Sequence, residues 1–350
     1  MNVAVLLSGG VDSSVALCLL KERGEHKLTA FYLKIWLEDE LAHLGDCPWE
    51  EDLRYAREVC DAAGVPLEVV ALQQEYYDRV VRYTLDELKA GRTPSPDIFC
   101  NQRIKFGAFV ETVEQSFDRI ATGHYGRIID NDTRSHLYKG VDPVKDQTYF
   151  LSHLSQQQVA RCLFPIGHLM KHEVRELANR YDLPNRQRAD SQGICFLGKI
   201  KFNDFVGYHL GEKTGAIVDR ASGQTRGEHR GYWFHTIGQR KGLGLSQGPW
   251  YVVGKDIEQN IVYVAHGERL PTETRDTFQV TDANWIARAP KRRGLTVKLR
   301  HTEVVYGCEL IKNDDDLFTV RLDTPDAGVA SGQFTVFYDG EECLGGAKIV

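Results

Sequence analysis

Near its start the chain reads VAVLLSGGVDSSVALCLLKERG, residues 3–24, and no other stretch limits its fold so tightly. VAVLL is a short unbroken apolar run rich in β-branched side chains, the pattern of a strand buried on both faces. Gly9 and Gly10 turn the chain. From about Ser13 to Arg23 the apolar residues return at helical spacing, until Gly24 ends the run. The turn carries chemistry as well as geometry. Gly9 and Gly10 allow close backbone approach, Ser8, Ser13 and Ser14 add hydroxyl donors, and the open N–H groups of the first helical turn favour an anion. That combination is a phosphate or pyrophosphate cradle. It lacks the lysine of the GxxxxGK(S/T) pattern, which makes an ordinary γ-phosphate hydrolysis loop a poor match. Asp12 supplies a carboxylate that could help hold Mg²⁺.

The alternation continues downstream. LTAFYLKIW (28–36), LEVVAL (67–72) and RIATGHY (119–125) read as further strands, separated by helices near 50–63, 75–90 and 103–116. Strands alternating with helices predict an α/β fold, a mostly parallel sheet with helices on both faces. Looser helical stretches follow near 155–163 and 170–181. After about Lys201 the pattern changes, with ten glycines between 207 and 248 punctuating short β-like runs, so a small β-rich middle domain is expected. From about Thr274, runs such as TVKLRH, LFTVRL and QFTVFYD alternate with period two, which predicts a closed or nearly closed antiparallel β-barrel-like domain. The expected division is 1–204, 205–273 and 274–350.

With 350 residues, 42% of them apolar, the chain can fill cores of this number. No uninterrupted apolar segment approaches membrane-spanning length, so a cytoplasmic protein without a membrane partner is expected. The net charge of -6 argues against a generic basic coat for nucleic acid, although a local groove is compatible with 43 Lys and Arg residues. One basic stretch is APKRRGLTVKLRHTE, 289–303, with Lys291, Arg292, Arg293, Lys298, Arg300 and His301; a solvated turn and strand would read the same way. Eight cysteines form no dense framework, and the absence of any CxxC pair argues against structural zinc or an iron–sulfur cluster.

Two of those cysteines stand out. Cys100 lies in SPDIFCNQRIK and Cys195 in DSQGICFLG, each in a polar or turn-forming setting rather than an apolar run. Read alone, either is equally a packed thiol. Cys18, Cys60, Cys162, Cys308 and Cys343 lie in apolar or helical contexts where packing is the expected role, and Cys47 has no partner motif.

SGGVDSS resembles the loop of enzymes that split ATP between its α and β phosphates and adenylate a carbonyl oxygen. Over nearly its whole length, through SGGVDSSVA, TPSPDIFCNQRIKF, ATGHY, KDQTYFL, DSQGICF, GQRKGLG and SGQFTVFY, the chain is similar to the tRNA-specific 2-thiouridylases. The resemblance implies an adenine nucleotide alpha hydrolase-like fold and ATP with Mg²⁺ as cofactors. It places ATP on Leu7, Ser8, Gly9, Gly10, Val11, Asp12, Ser13 and Ser14, with Leu33 and Gly123. It implies that Cys195 carries a persulfide, that Cys100 resolves it, and that a disulfide results. It further implies Asp97 as an acid–base or base-positioning group, and Ser95, Pro96, Asp97 and His124 beside the target base. Contacts to tRNA are implied for Lys145, Asp146, Gln147, Arg300, His301 and Gln333.

Two positions depart from the family pattern. Ser95 stands where asparagine is usual, a shorter side chain expected to shift one base contact, and Leu33 replaces a methionine near the adenosine pocket. The implied reaction is 2-thiolation of uridine 34 in lysine, glutamate and glutamine tRNAs, fed by a persulfide donor protein. Two rivals fit the residues: a ligase of the same loop class acting on a small substrate, and a noncatalytic RNA-binding protein. Local alternatives also stand. Asp97 is equally a turn aspartate after Pro96, Gly123 a strand-end turn, and Lys145–Gln147 a polar cap before an apolar run.

Overall fold

A computed structural model describes residues 1–35, 49–113, 116–131, 133–190, 200–290, 294–314 and 316–350. Cys47, the segment 191–199 with Cys195, and Lys291, Arg292 and Arg293 lie outside the described residues.

The N-terminal layer is a parallel sheet of β1 (Asn2–Leu7), β2 (Lys27–Lys34), β3 (Leu67–Ala71), β4 (Arg119–Ala121) and β7 (Cys162–Leu163), in the order β3-β2-β1-β4-β7. The unbroken apolar run of β1 follows from burial on both sides. Val3, Val5 and Leu7 face a core with Val15 and Leu20 of the helix Val11–Arg23, Leu53 and Val59 of Trp49–Ala63, and Val174 of Lys171–Arg180. Ala4 and Leu6 face the other core, with Phe31, Tyr76, Val80, Ile104, Phe109 and Ile120. The strands expected at 28–36, 67–72 and 119–125 are present, the last only over Arg119–Ala121; the helix expected near 75–90 contains a π-turn at Tyr77–Val81, that expected near 103–116 begins already at Pro96, and the short β7 was not expected.

The second helical layer departs from regular α geometry. Cys100–Ala108 winds as a π-helix after the short α-turn Pro96–Phe99. Such wide turns leave carbonyls poorly matched and concentrate at functional sites. Here Gln158 supplies the missing donors: its Nε2 lies 2.7 Å from Gln102 O and 2.9 Å from Phe106 O.

The middle β-rich unit is a four-stranded sheet of β8 (Gly215–Asp219), β9 (Thr225–His229), β10 (Trp250–Asp256) and β11 (Ile261–His266), ordered β10-β11-β8-β9. The C-terminal strands β12 (Arg275–Trp285), β13 (Leu295–Lys298), β14 (Tyr306–Lys312), β15 (Phe318–Asp326), β16 (Phe334–Asp339) and β17 (Glu342–Ile349) close on themselves through β12–β17 pairing. Closure removes the edges that a period-two sheet would otherwise expose.

The hairpin β5 (Gly126–Asp130) and β6 (Ser135–Lys139) leaves the parallel layer and extends the barrel sheet, with Leu137 opposite Cys343 and Tyr138 opposite Glu342. His136 Nδ1 lies 2.6 Å from Glu342 Oε1 and Arg127 reaches Glu341 at 2.7 Å, fastening the two units. Phe99 and His153 pack against Phe334 of the barrel, so the core behind Cys100 is shared between the parallel layer and the barrel.

Candidate active site

A cleft of about 380 Å³ opens at the C-terminal ends of β1, β2 and β4, where a parallel sheet characteristically receives ligands. Leu7, Ser8, Gly10, Val11, Asp12, Ser13, Leu33, Gly123 and His124 line it, together with Cys100, Lys105, Lys145, Gln147, Arg188 and Asp190. The loop and Cys100, which sequence could relate only by resemblance, thus border one space.

The turn is built tightly. Gly9 has φ 72°, and a Cβ there would come within 2.4 Å of Asp52 O, so both backbone conformation and space demand glycine. Gly10 is extended and precedes Val11 without any side-chain cap, leaving the helix N-terminus to other partners. Ser13 Oγ receives the Ser8 N–H at 3.2 Å and donates to Gly10 O at 3.1 Å. Ser14 Oγ donates to Gly10 O at 3.0 Å and accepts from Asn185 Nδ2 at 2.9 Å. Asn185 and Arg188 hold the Gly9 carbonyl at 2.8 and 3.1 Å. These two supports come from a polar stretch, NRQRAD, that carries no local signal of its role. Gly123 is explained by close approach: a Cβ would lie 2.6 Å from Ser13 N.

Charges meet at the far side of the cleft. Asp12 Oδ1 accepts from Tyr125 OH at 3.0 Å and from Lys171 Nζ at 2.7 Å. Asp190 collects Lys145 and Lys171, each at 2.8 Å, and Arg175 at 2.5 Å. Burial pushes the Asp190 carboxyl up, but Lys145 and Lys171 outweigh it and hold the group well below the usual carboxylate range. His124 is buried; burial and then the Lys105 ammonium keep its pKa well below the ordinary imidazole value. Its partners assign the tautomer: Nδ1–H donates to Thr122 Oγ1 at 2.7 Å, and Nε2 faces Lys105 Nζ at 3.5 Å.

Cys100 is 2% exposed, at the junction of the α-turn and the π-helix. Asn101 ties this junction to the next segment by donating to Phe150 O at 3.2 Å. One turn earlier, Ser95 and Asp97 are half-buried and Pro96 is buried as the first helical residue; none of the three lines the cleft itself. The Ser95 N–H donates to Tyr83 OH at 3.3 Å. Five more cysteines lie among the described residues. Burial pushes the thiols of Cys18 up to about 11 and of Cys60 and Cys308 to about 12, and raises Cys162 and Cys343 further, which favours the protonated thiol in all five.

The expected tRNA residues fall in two groups. Lys145, Asp146, Gln147 and His301 meet: His301 Nε2 lies 3.1 Å from Asp146 O and its ring 4.4 Å from that of Phe150. Within this group Asp146 is turned inward, 2% exposed, its carboxylate accepting from Gly140 N–H, Thr148 and Lys298. Gln147 Oε1 accepts the Tyr125 N–H at 3.0 Å. Arg300 makes a two-pronged pair with Asp326 at 3.0 and 2.7 Å. Gln333 stands apart, in a loop whose Ser331 O accepts the Thr93 N–H at 2.8 Å, beside the segment that leads to Ser95.

Fold and cleft together define a nucleotide-binding α/β enzyme of the pyrophosphatase-loop class, joined to two β domains. Residues 1–199 match the tRNA methyl transferase HUP domain, 203–266 the tRNA methyl transferase PRC-barrel domain, and 275–349 the aminomethyltransferase beta-barrel domain. The chain belongs to the tRNA-specific 2-thiouridylase (MnmA) family. It is 48% identical to tRNA-specific 2-thiouridylase MnmA 1 of Bacteroides thetaiotaomicron, over all of this chain and 99% of that one. It is 46% identical to MnmA of Parabacteroides distasonis and 45% to that of Porphyromonas gingivalis, each over all of this chain and 99% of the relative. Among the described residues no helix is long and apolar enough to cross a membrane.

Proposed function

We propose that this enzyme replaces the C2 oxygen of tRNA wobble uridine 34 by sulfur, in lysine, glutamate and glutamine tRNAs, at the expense of ATP. The observation that carries the reading is the placement of Cys100 on the same cleft as the Ser8–Ser14 loop. A pyrimidine carbonyl oxygen is a poor leaving group, so it must be activated before sulfur can enter. Adenylation supplies that activation, with the α-phosphate on the loop N–H groups and hydroxyls, and the oxygen leaves in AMP. The hard oxygens of Asp12, Ser8 and Ser13 suit Mg²⁺, which offsets phosphate charge when bound.

Sulfur then arrives from a persulfide on Cys195, charged by a donor protein. Its terminal sulfur attacks C2, or Cys100 first attacks the inner sulfur and releases sulfide that does so. Either route breaks the S–S bond of the persulfide and forms a Cys100–Cys195 disulfide, which a thiol reductant reopens by two electrons. Asp97 orients the base or moves a proton, and neutral His124 borders the base pocket. Lys145 and Gln147 meet backbone and base edges, Asp146 anchors their segment through its bonds to Gly140, Thr148 and Lys298, and Arg300, His301 and Gln333 extend the RNA face. Access requires the uridine to be flipped out of its loop stack. The three units 1–204, 205–273 and 274–350 divide these tasks among catalysis, linkage and RNA binding.

The test is single-turnover reaction with unmodified tRNA, MgATP and a persulfide donor. Wild type should yield AMP and 2-thiouridine together, whereas Cys100→Ser and Cys195→Ser should lose 2-thiouridine formation. Full turnover by both variants would sink the thiol mechanism and favour the small-substrate ligase.

A further inference from the structure

The π-winding of Cys100–Ala108 changes which residues share a face. At 3.6 residues per turn, a side chain five positions along an α-helix lies about 140° around the axis. In a π-turn the hydrogen bond joins residues five apart, as Phe109 N–H to Ile104 O does here, and the fifth side chain stands nearly above the first. Cys100 and Lys105 are such a pair, and both line the cleft. Lys105 is held at a defined place on that wall. Its Nζ lies 3.5 Å from His124 Nε2, and the imidazole is fixed in turn by the 2.7 Å bond between Nδ1 and Thr122 Oγ1. The Nε2 lone pair accepts from the ammonium, so the histidine orients the lysine without neutralising its charge.

Other charged groups of the cleft meet one another: Asp12 pairs with Lys171, Asp52 with Arg188, and Asp190 with Lys145. Asp97 stands on the α-turn before Cys100 and does not line the cleft. Behind the helix, Arg79 pairs with Glu111, and Arg103 lies over the Phe99 ring at 3.7 Å and donates to Arg79 O. His153, on the same side, is kept neutral by burial and then by Arg103. A thiol beside a lysine ammonium ionises more readily than free cysteine. We propose that Lys105 is the counter-ion of a Cys100 thiolate, which makes Cys100 a nucleophile at neutral pH. The thiol proton passes to solvent. The thiolate attacks the inner sulfur of the Cys195 persulfide, the S–S bond there breaks, a Cys100–Cys195 disulfide forms and hydrosulfide carries the negative charge away. Lys105 acts through Cys100 and is therefore a positioning residue; the use made of the thiolate rests on the thiol mechanism proposed above.

Ultraviolet absorbance of the thiolate, taken as the difference between each full-length protein and its Cys100→Ser counterpart, titrates the group without tRNA, ATP or sulfur donor. Wild type should titrate with a midpoint below the ~8.5 of free cysteine. Lys105→Met should raise that midpoint by about one pH unit or more, and Lys105→Arg, which keeps the charge, should return most of it. Lys105→Gln gives a second measure if the methionine variant melts early. The same shift should appear in the acidic limb of the pH profile of 2-thiouridine formation. Lys105→Met should be slower by about tenfold near neutral pH and recover as pH rises, whereas loss of a merely structural residue would lower the rate at every pH. A wild-type midpoint at or above that of free cysteine, or one left unchanged in both neutral variants, would overturn the assignment. A low, lysine-dependent midpoint in an enzyme whose Cys100→Ser variant still thiolates at full rate would uphold the ion pair and refute the thiol mechanism instead.

Discussion

Replacing Gly123 by alanine adds a single methyl group at a point where two backbones already touch. The new Cβ would lie 2.6 Å from Ser13 N, 2.8 Å from Asp12 C and 2.9 Å from Ser13 Cα, where ordinary contact begins at 3.4 Å. All three are main-chain atoms, so no side chain can swing aside. Either the end of β4 or the first turn of the helix Val11–Arg23 must retreat by about 0.8 Å, a strain of the kind that costs about 1–3 kcal/mol in a packed interior. The turn that moves is the one that carries Asp12 and Ser13, and misplacement on this scale can lower kcat/KM by about a hundredfold. The assay is the urea midpoint of the cooperative transition together with kcat/KM for ATP in tRNA-dependent AMP release. Gly294 is the control, because a Cβ there meets open space. A Gly123→Ala enzyme with the midpoint of wild type and kcat/KM within about twofold of it would refute the close-approach argument.

Gln158→Leu removes the donors to Gln102 O and Phe106 O, leaving two π-helix carbonyls unmatched, and should cost about 2–4 kcal/mol by urea unfolding. It should also slow thiolation at saturating ATP while leaving the KM for ATP unchanged, because it acts on the Cys100 helix rather than on the loop. His153, wedged against Phe99 and Phe334, has its pKa lowered from 6.5 to about 4 by burial and then by Arg103. The fold therefore favours the neutral ring. Stability from this residue is full above pH 6.5 and falls as pH drops toward 4, by up to about 3 kcal/mol, and His153→Phe should flatten that slope in pH-dependent melting.

The parallel layer was legible because its signals are local. VAVLL, the glycine turn and the helix that follows are contiguous, and burial on both faces leaves an unbroken apolar run. The hairpin β5–β6 was not legible. Its strands are five residues each, IID breaks the alternation, and the partner that justifies it, β17, lies some two hundred residues away in the chain. The π-helix was hidden for a related reason: its apolar spacing passes for α, and the glutamine that stabilises it lies more than fifty residues downstream.

At the site, motif residues could be read, and their supports could not. Ser8, Gly9, Gly10 and Asp12 announce themselves by type and order. Asn185, Arg188 and Lys171 do not, because what gives them a role is the approach of distant segments to the loop. Asp146 illustrates the converse. It sits in a motif whose neighbours line the cleft, yet its own carboxylate turns inward to Thr148 and Lys298. Sequence order assigns a residue to a segment, while the side-chain direction depends on packing.

The most direct test follows the oxygen. Unmodified tRNA carrying ¹⁸O at C2 of uridine 34 would be incubated with the enzyme, MgATP and a persulfide donor, and both products analysed by mass spectrometry. The account predicts 2-thiouridine at that position and the label in the phosphate of AMP, because the oxygen departs with the group that activated it. AMP without label beside thiolated tRNA would contradict adenylation of the carbonyl, and labelled uridine left intact while AMP accumulates would contradict thiolation itself.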